Sequence, residues 1–258
     1  MFPYFFSIII PTFNSERTLI ECLSSVLSQT FGNYEVLVID GGSVDSTVNI
    51  LKSAGFGSKM QWITESDEGI YDAMNKGIRM ARGEWLFFLG SDDFFYDSKV
   101  LTDVKDQIDR HATSKFIYGD VFTSDGYIQK FESFSFDVLI QKNICHQAIF
   151  YHSSLFSAIQ YDVRLKLLAD WDFNLKVYRP SNYPVYIPRV ISGYSMNGVS
   201  SDWLKGPEYK NSFSNKKHLI VKYRGLIAYY QYLVRRYILM ARKRLKLALN
   251  GNDRTHVF

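Results

Sequence analysis

The sequence Phe87-Phe88-Leu89-Gly90-Ser91-Asp92-Asp93, residues 87–93, is an apolar run typical of a buried strand that ends in two adjacent carboxylic acids. In open α/β folds, ligands bind at the sheet edge where parallel strands end, so this strand would bring Asp92 and Asp93 to a binding edge. Adjacent carboxylates repel each other unless a divalent cation or hydroxyl groups share their charge, and Mg2+ and Mn2+ prefer such oxygen ligands. A turn or a helix N-cap also explains Ser-Asp-Asp, so neighbouring segments are needed to distinguish a binding site from a purely structural turn.

Strand-like and helix-like segments alternate before this stretch. The apolar runs typical of strands are residues 6–11, 35–40, 60–64 and 85–89. The amphipathic segments typical of helices are residues 15–28, 46–54 and 69–81. This alternation predicts an α/β fold with a Rossmann-like, mostly parallel sheet and helices on both faces.

The pattern is less regular after Asp93. Residues 100–110 and 171–178 have the periodicity of helices, residues 116–122 that of a strand, and residues 126–131 that of a returning hairpin strand. A following region with three prolines (Pro180, Pro184 and Pro188) predicts an edge strand and loops, because proline cannot donate a ladder hydrogen bond.

Composition indicates a globular enzyme without a membrane span. Of the 258 residues, 47% are hydrophobic and 22% charged, and no uninterrupted apolar run is long enough to cross a bilayer. The apolar start lacks the features of a signal peptide. Cys22 and Cys145 lack metal-ligand spacing and are interpreted as reduced thiols, which favours a cytoplasmic location.

The charge is distributed unevenly. Residues 216–246 contain ten of the 30 basic residues and no acidic one, so the remaining 20 basic residues face 26 acidic ones. Together with interleaved aromatic and aliphatic side chains, this predicts an amphipathic helical tail that lies on an anionic membrane surface. Packing of the tail on the protein's own body is the alternative. Nucleic acid is not expected as a partner, because the body is acidic and no reading motif is present.

Polar residues follow the first two predicted strands. Thr12 and Asn14 come after the first, and Asp40 ends the second beside a Gly-Gly turn. A carboxylate at this edge can accept hydrogen bonds from a base or a ribose hydroxyl, although Asp40 as a turn residue or helix cap is the alternative. The chain has no Gly-x-Gly-x-x-Gly or Walker A sequence, which argues against NAD or ATP bound through those loops.

Three later segments hold further candidates. Asp67 and Asn75 lie in an unusually polar stretch, where Asn75, within a predicted helix, could contact the ribose or phosphate of a bound nucleotide. Acidic residues at a helix start also complement its dipole, which is the alternative. His146 and Gln147 precede an apolar run and are candidates for hydrogen bonds to a sugar, although a lone histidine is commonly structural. Asp170 opens a helical segment as a candidate catalytic carboxylate, with a helix N-cap as the alternative, and Trp171 beside it is a further candidate sugar contact.

The ordered motifs SIIIPTFN, VLVIDGGSVDST, ESDEGIYDAMNKGI, ARGEWLFFLGSDD, ICHQAIF, ADWDF and SMNGVS resemble those of bacterial family 2 glycosyltransferases. The likeness runs from about residue 7 to residue 201 and is greatest to the colanic-acid type of exopolysaccharide enzyme. It implies a GT-A fold in which residues 1–98 bind a nucleotide-diphosphate sugar and residues 99–205 bind the acceptor. Residues 206–258, the basic tail, are less well covered.

The resemblance also implies roles for individual residues. Thr12, Asn14, Asp40 and Asp67 would surround the base and ribose, with Asp92 near the ribose and diphosphate. Asp93, the last acid of a D-x-D-like element that here is Ser-Asp-Asp, would coordinate Mn2+ or Mg2+. Asp170 would be the base that deprotonates the acceptor hydroxyl in an inverting transfer.

These features predict an inverting, metal-dependent glycosyltransferase of cell-surface polysaccharide synthesis. Its expected acceptor is a lipid-linked saccharide, and its expected location is the inner face of the bacterial cytoplasmic membrane. A catalytically silent sugar-nucleotide-binding or scaffold subunit is the alternative, and Asp170 distinguishes the two. A nucleotidyltransferase is disfavoured, because no Gly-rich basic phosphate loop follows the first strand.

Overall fold

The computed structural model describes residues 2–53, 57–132, 135–194, 216–223, 225, 232–234 and 237. The chain divides into two compact units, Met1–Tyr209 and Lys210–Phe258. All of the named strands and helices below belong to the first unit.

The described residues of this unit form nine strands and six α-helices. The strands are β1 (Tyr4–Thr12), β2 (Tyr34–Asp40), β3 (Met60–Thr64), β4 (Gly83–Phe88), β5 (Phe94–Phe95), β6 (Phe116–Thr123), β7 (Ile128–Gln129), β8 (Ile149–His152) and β9 (Val185–Tyr194). The helices are α1 (Leu19–Leu27), α2 (Thr47–Ser53), α3 (Ile70–Met80), α4 (Val100–Arg110), α5 (Phe136–Gln141) and α6 (Ala169–Val177).

One sheet contains all nine strands, in the order β3-β2-β1-β4-β8-β6-β9-β5, with β7 paired to β6. The first four strands in this order are parallel, as the alternation of strands and helices predicts. Beyond β4, strand β8 is antiparallel to both of its neighbours, and β9 is parallel to β6. The α/β fold class is confirmed, and the irregular second half of the chain forms the mixed part of the sheet.

Helices cover both faces of the sheet because alternate side chains of a strand point to opposite sides. Ile8 and Ile10 pack with apolar residues of α1, α2 and α4 on one face. Ile9 packs with residues of α3 and α6 on the other. The central strands are buried on both sides, which explains why their sequences are continuously apolar.

Helix α3 lies very close to β1 at Gly77. A Cβ atom added to Gly77 would overlap Cγ2 of Ile9, a fully buried side chain at the centre of the sheet. The glycine therefore sets the distance between α3 and β1.

We expect Gly77→Ala to lower the free energy of unfolding by about 1 to 3 kcal/mol, because overpacking outweighs the better helix propensity of alanine. Urea denaturation measures the change. Arg79→Ala, at an exposed position of the same helix, is the control and should have little effect. Equal stability of Gly77→Ala and the wild-type protein would contradict the close approach.

Two predictions need correction, the start of the first helix and the edge position of the proline-containing strand. The first helix begins at Leu19 rather than Ser15, whose carbonyl accepts hydrogen bonds from the amides of Thr18 and Leu19 in the preceding turn. The proline-containing strand β9 is not an edge strand, since it lies between β6 and β5. Pro188 is tolerated there because it falls where the register between β6 and β9 shifts, so its missing amide removes no ladder bond.

The C-terminal unit is described only in part. Residues 216–223 are helical, and Leu219 and Ile220 are buried. Most of the predicted basic tail, residues 206–258, lies outside the described residues, as do Met196, Asn197 and Ser200 of the motif SMNGVS. No helix within the described ranges is both long and apolar enough to cross a membrane.

Candidate active site

Three neighbouring strands end at the same edge of the sheet. Thr12 of β1 pairs with Asp40 of β2, and Asp40 pairs with Thr64 of β3. Strand β4 ends beside them at Phe88, and the acidic turn of residues 90–93 follows it. The structure therefore brings the predicted residues Thr12, Asp40 and the acidic turn to one edge.

Asp40 is fully buried, and both of its carboxylate oxygens accept hydrogen bonds from the protein. One oxygen accepts from the hydroxyl of Ser43, and the other accepts from the Thr64 hydroxyl and the Ser43 amide. Asp40 thus joins β2, β3 and the glycine turn, as its interpretation as a turn residue predicts. A contact with a nucleotide remains a prediction for this residue.

Asn14 is linked to the same turn from the β1 side. Its side-chain Oδ1 accepts a 3.0 Å hydrogen bond from the backbone amide of Val44, and its backbone amide donates to the Ser43 hydroxyl at 2.7 Å. Asn14 is exposed and has a positive φ of 48°, a conformation that asparagine tolerates better than most residues. Thr12 is buried below it. The two loops therefore form one hydrogen-bonded rim.

Asp67 borders this rim, because a Cβ atom on Gly41 would lie 2.5 Å from its Oδ2. Its Oδ1 accepts a hydrogen bond from the Gly69 amide at 2.8 Å. Partial burial raises the pKa of Asp67, against the opposing effects of that amide and of the Lys76 ammonium.

Asn75 is not part of this group. It is buried, and its side-chain amide pairs with the backbone of Tyr161, donating to the carbonyl at 2.9 Å and accepting from the amide at 3.0 Å. Both polar atoms of the side chain are thereby used to hold residue 161 against α3. The structure gives Asn75 a packing role, and its contact with the donor stays a prediction.

The acidic turn after β4 is tied to its surroundings. The Asp93 amide donates to the Gly90 carbonyl at 3.0 Å, and the Ser91 hydroxyl is 2.7 Å from the hydroxyl of Ser15. β5 follows directly, so Ser-Asp-Asp is a turn and not a helix cap. Asp93 is buried, and its Oδ2 accepts a hydrogen bond from Nε2 of Gln147 at 2.9 Å.

Asp92 is less buried than Asp93. Burial raises the pKa of the Asp92 carboxyl, and its own backbone amide and His146 oppose the rise. The hydrogen bond from Gln147 to Asp93 places the 3-10 turn His146–Ala148 next to the acidic turn. The predicted residues Asp92, Asp93, His146 and Gln147 are thus neighbours.

Asp170 is in the first turn of α6 and is 7% exposed. Its Oδ1 accepts hydrogen bonds from the Tyr71 hydroxyl at 2.9 Å and the Trp171 amide at 2.8 Å. Its Oδ2 accepts from Nδ2 of Asn143 at 2.8 Å and lies 3.8 Å from Nδ1 of His146. Since Leu168 is the N-cap residue, Asp170 does not cap this helix.

Tyr71 and Asn143 were not predicted from the sequence. Burial, together with the charge of Asp170, raises the pKa of Tyr71 well above its usual value, so its hydroxyl remains a neutral donor. Tyr71 is on α3 and Asn143 lies just before the His146 turn. The sequence signals for them are that Tyr71 lies within the motif ESDEGIYDAMNKGI and that Asn143 directly precedes the motif ICHQAIF.

The charges of the acidic turn and of Asp170 contribute to the raised pKa values of two polar groups, Tyr194 and Cys145. Burial raises the pKa of Tyr194, the last residue of β9, to about 12, with contributions from the charges of Cys145, Asp93, Asp92 and Asp170. Burial also raises the pKa of the Cys145 thiol, and here too Asp170 and Asp93 contribute. The segment 143–147 contacts both acidic groups, since Asn143 donates to Asp170 and Gln147 donates to Asp93, although these acids are distant in sequence.

Trp171 and Asp172 face elsewhere. The indole of Trp171 is buried, and its Nε1 donates to the Leu139 carbonyl at 2.6 Å. The carboxylate of Asp172 lies 2.5 Å from the ammonium of Lys176, one turn further along α6. The structure thus places Trp171 in the packing of α5 against α6, whereas a sugar contact was expected.

The acidic turn has the chemistry of a site for a hard cation. No group of three or more metal-ligating side chains occurs within the described ranges. A cation that binds together with a diphosphate needs only one or two carboxylates, because phosphate oxygens and water complete its shell. Asp92 and Asp93 provide two oxygen ligands of the kind that Mg2+ and Mn2+ prefer, so these residues fit such an ion.

The family model described as "Glycosyl transferase family 2" matches residues 7–161, more than half of the chain. The chain belongs to glycosyltransferase family 2. A relative of this family 2 glycosyltransferase, the "PGL/p-HBAD biosynthesis glycosyltransferase" of Mycobacterium bovis BCG, is 39% identical over 209 residues. The matched region is 79% of this chain and 82% of that protein.

Solved structures support the fold of this family 2 glycosyltransferase. Staphylococcus aureus TarS 1-349 in complex with UDP-GlcNAc superposes with a TM-score of 0.69 at 20% identity, over 85% of this chain and 67% of that one. The mannosyltransferase PcManGT of Pyrobaculum calidifontis, in complex with GDP-Man and Mn2+, has a TM-score of 0.68 at 15% identity. The superposition covers 98% of this chain and 76% of that one. At these identities the likeness shows the fold alone, and it confirms the predicted GT-A architecture.

Proposed function

We propose that this family 2 glycosyltransferase is an inverting, cation-dependent enzyme that transfers a sugar from a nucleotide-diphosphate donor. The observation that supports this most directly is that the segment 143–147 contacts both a hydrogen-bonded acid, Asp170, and the acidic turn of Asp92 and Asp93. The acidic turn has the chemistry to hold a diphosphate and its cation, and Asp170 provides a carboxylate for the acceptor.

The donor nucleotide would lie along the rim of Thr12, Asn14, Asp40 and Asp67, with the base and ribose against these residues. Asp92 would face the ribose and diphosphate. Mn2+ or Mg2+ held by Asp93 would neutralise charge on the departing diphosphate. PcManGT, with GDP-Man and Mn2+ bound, and TarS, with UDP-GlcNAc bound, show that proteins of this fold accommodate such ligands.

Asp170 would remove the proton from the acceptor hydroxyl as its oxygen bonds to the anomeric carbon. The bond from that carbon to the diphosphate breaks on the opposite side, and the configuration inverts. Tyr71 and Asn143 each donate to a different oxygen of Asp170 and so fix its plane. His146 borders the same space and is proposed to contact the transferred sugar or the acceptor, and Gln147 is a second candidate for this contact. For Trp171, a sugar contact would require its buried ring to become accessible.

The acceptor is proposed to be a lipid-linked saccharide of the kind used in exopolysaccharide synthesis, bound mainly by residues 99–205. The relative that is 39% identical acts in PGL/p-HBAD biosynthesis, according to its name. Acceptors of that biosynthesis are therefore the second class to test.

The donor is identified by calorimetric titration with UDP-, GDP- and dTDP-sugars, with and without Mn2+. We expect one donor to bind tightly only with Mn2+ present, and product formation to follow when acceptors are added. A donor that binds but is never transferred or hydrolysed would favour the silent subunit. Absence of donor binding under all conditions would contradict the proposal.

We propose that the basic segment 216–246 holds the enzyme on the inner face of the cytoplasmic membrane, where a lipid-linked acceptor is presented. We expect the full chain to sediment with vesicles that contain anionic lipid and to lose at least about tenfold in vesicle affinity when Arg242, Lys243 and Arg244 are all changed to Glu. Neutral vesicles are the control. Equal vesicle affinity for both proteins would contradict this location.

A further inference from the structure

Gln147 holds a fixed position next to the acidic turn. Gln147 is 5% exposed, and its backbone carbonyl accepts a 2.7 Å hydrogen bond from the Ser192 hydroxyl of β9. The preceding residue, His146, opens the short 3-10 turn that leads into β8. The side chain therefore extends from an anchored backbone toward Asp93.

The orientation of the Gln147 amide is determined by its partner. An ionised carboxylate accepts hydrogen bonds and cannot donate, so the group 2.9 Å from Oδ2 of Asp93 must be the NH2 group. The carbonyl oxygen, Oε1, then points away from that carboxylate oxygen. Flipping the amide would place two acceptors in contact.

Oε1 of Gln147 is buried and has no hydrogen-bond partner among the residues that the structure describes. A buried acceptor without a donor is unfavourable, and such atoms are uncommon in folded proteins. The carboxylates of Asp92 and Asp93 supply no proton, and neither His146, Cys145 nor Tyr194 donates a hydrogen bond to this oxygen. A ligand that brings hydrogen-bond donors or positive charge would satisfy this oxygen.

We propose that Gln147 is a positioning residue for the divalent cation: its Nε2 orients Asp93, and its Oε1 accepts a hydrogen bond from a water molecule of the cation's hydration shell. This inference rests on the proposed function. Mg2+ and Mn2+ keep several waters when one or two carboxylates and a diphosphate bind them, and these waters are strong donors. Residues in contact with metal ligands commonly change metal affinity 10- to 100-fold when mutated.

Direct measurement of Mn2+ affinity by electron paramagnetic resonance, with UDP, GDP or dTDP bound and no sugar present, tests the proposal. We expect Gln147→Leu to bind Mn2+ about 10- to 100-fold more weakly than the wild-type protein. Gln147→Glu keeps an oxygen acceptor at this position and should bind Mn2+ at least as tightly as wild type. If Gln147→Glu is as weak as Gln147→Leu, the acceptor role of Oε1 is wrong.

Gln29→Leu is the matched control. Gln29 is also a buried glutamine, but its amide is fully used: Nε2 donates to the Asp97 carbonyl, and Oε1 accepts from the Leu101 amide. Its variant should lose stability and keep the Mn2+ affinity. Thermal denaturation of all variants shows that the compared proteins are folded.

The outcomes separate this inference from the proposed function. Wild-type Mn2+ affinity in Gln147→Leu overturns the role of Gln147 and leaves the proposed transfer intact. A loss of affinity that occurs only with a sugar-bearing donor also overturns it, because Oε1 would then contact the sugar. Absence of Mn2+ binding to the wild-type protein with any of the three nucleotides overturns both the inference and the proposed metal dependence.

Discussion

Asp170→Asn is expected to lower kcat by about 10²- to 10⁴-fold, the usual contribution of a general base. The variant keeps the size of the side chain and loses its ability to take a proton. Donor affinity should change little, because Asp170 and the acidic turn are hydrogen-bonded to different residues of the segment 143–147. Steady-state kinetics with the identified donor and acceptor, together with donor titration, measure the two effects separately.

Asp172→Asn is the control for this prediction. Asp172 is in the same helix, two residues away, and its partner is Lys176. Its variant should keep most of the transfer activity. Denaturation of Asp170→Asn is also needed, because the new amide group would face the NH2 group of Asn143, which donates to Asp170 in the native protein. Near wild-type turnover in folded Asp170→Asn would show that another group is the base.

Asp93→Asn is expected to weaken donor binding in the presence of Mn2+ by at least about 100-fold, since the cation's neutralisation of the diphosphate contributes several kcal/mol. Without Mn2+, the variant and the wild-type protein should bind the donor with similar, low affinity. Titration of the donor under both conditions gives the comparison.

Asp97→Asn provides a control from the same part of the chain. Asp97 is more exposed than Asp93, and its carboxylate pairs with Arg189. Its variant should keep the Mn2+-dependent binding. If Asp97→Asn loses as much affinity as Asp93→Asn, the effect arises from the general loss of negative charge and not from a specific cation site.

The position of the acidic turn could be predicted from the sequence because it depends on a local pattern. Strands buried on both faces are continuously apolar, so the end of β4 and the start of the polar turn are visible in the sequence. The same holds for Asp40 at the end of β2. The parallel arrangement of β1 to β4 then brings these ends together.

The partners of these residues could not be predicted in the same way. Tyr71 reaches Asp170 from 99 positions away, and Asn143 from 27 positions away. The first contact depends on how α3 packs with α6, and the second depends on how the segment before the His146 turn packs with α6. Asn75 resembles a binding residue in the sequence, because nothing local indicates that its amide pairs with the backbone of Tyr161. The inward orientation of Trp171 likewise depends on α5.

The strand pairing between β4 and β8 joins the two halves of the chain within one sheet. Leu86 pairs with Tyr151, Phe87 pairs with Phe150, and the rings of Phe87 and Phe150 stack with centroids 4.4 Å apart. A change of side chain on one strand of this pair therefore alters the packing of its partner on the other strand. A chimaera that joins residues 1–98 of one relative to the second half of another would combine a β4 and a β8 from different proteins. Such a chimaera is expected to fold well only if the paired side chains of these two strands still fit together.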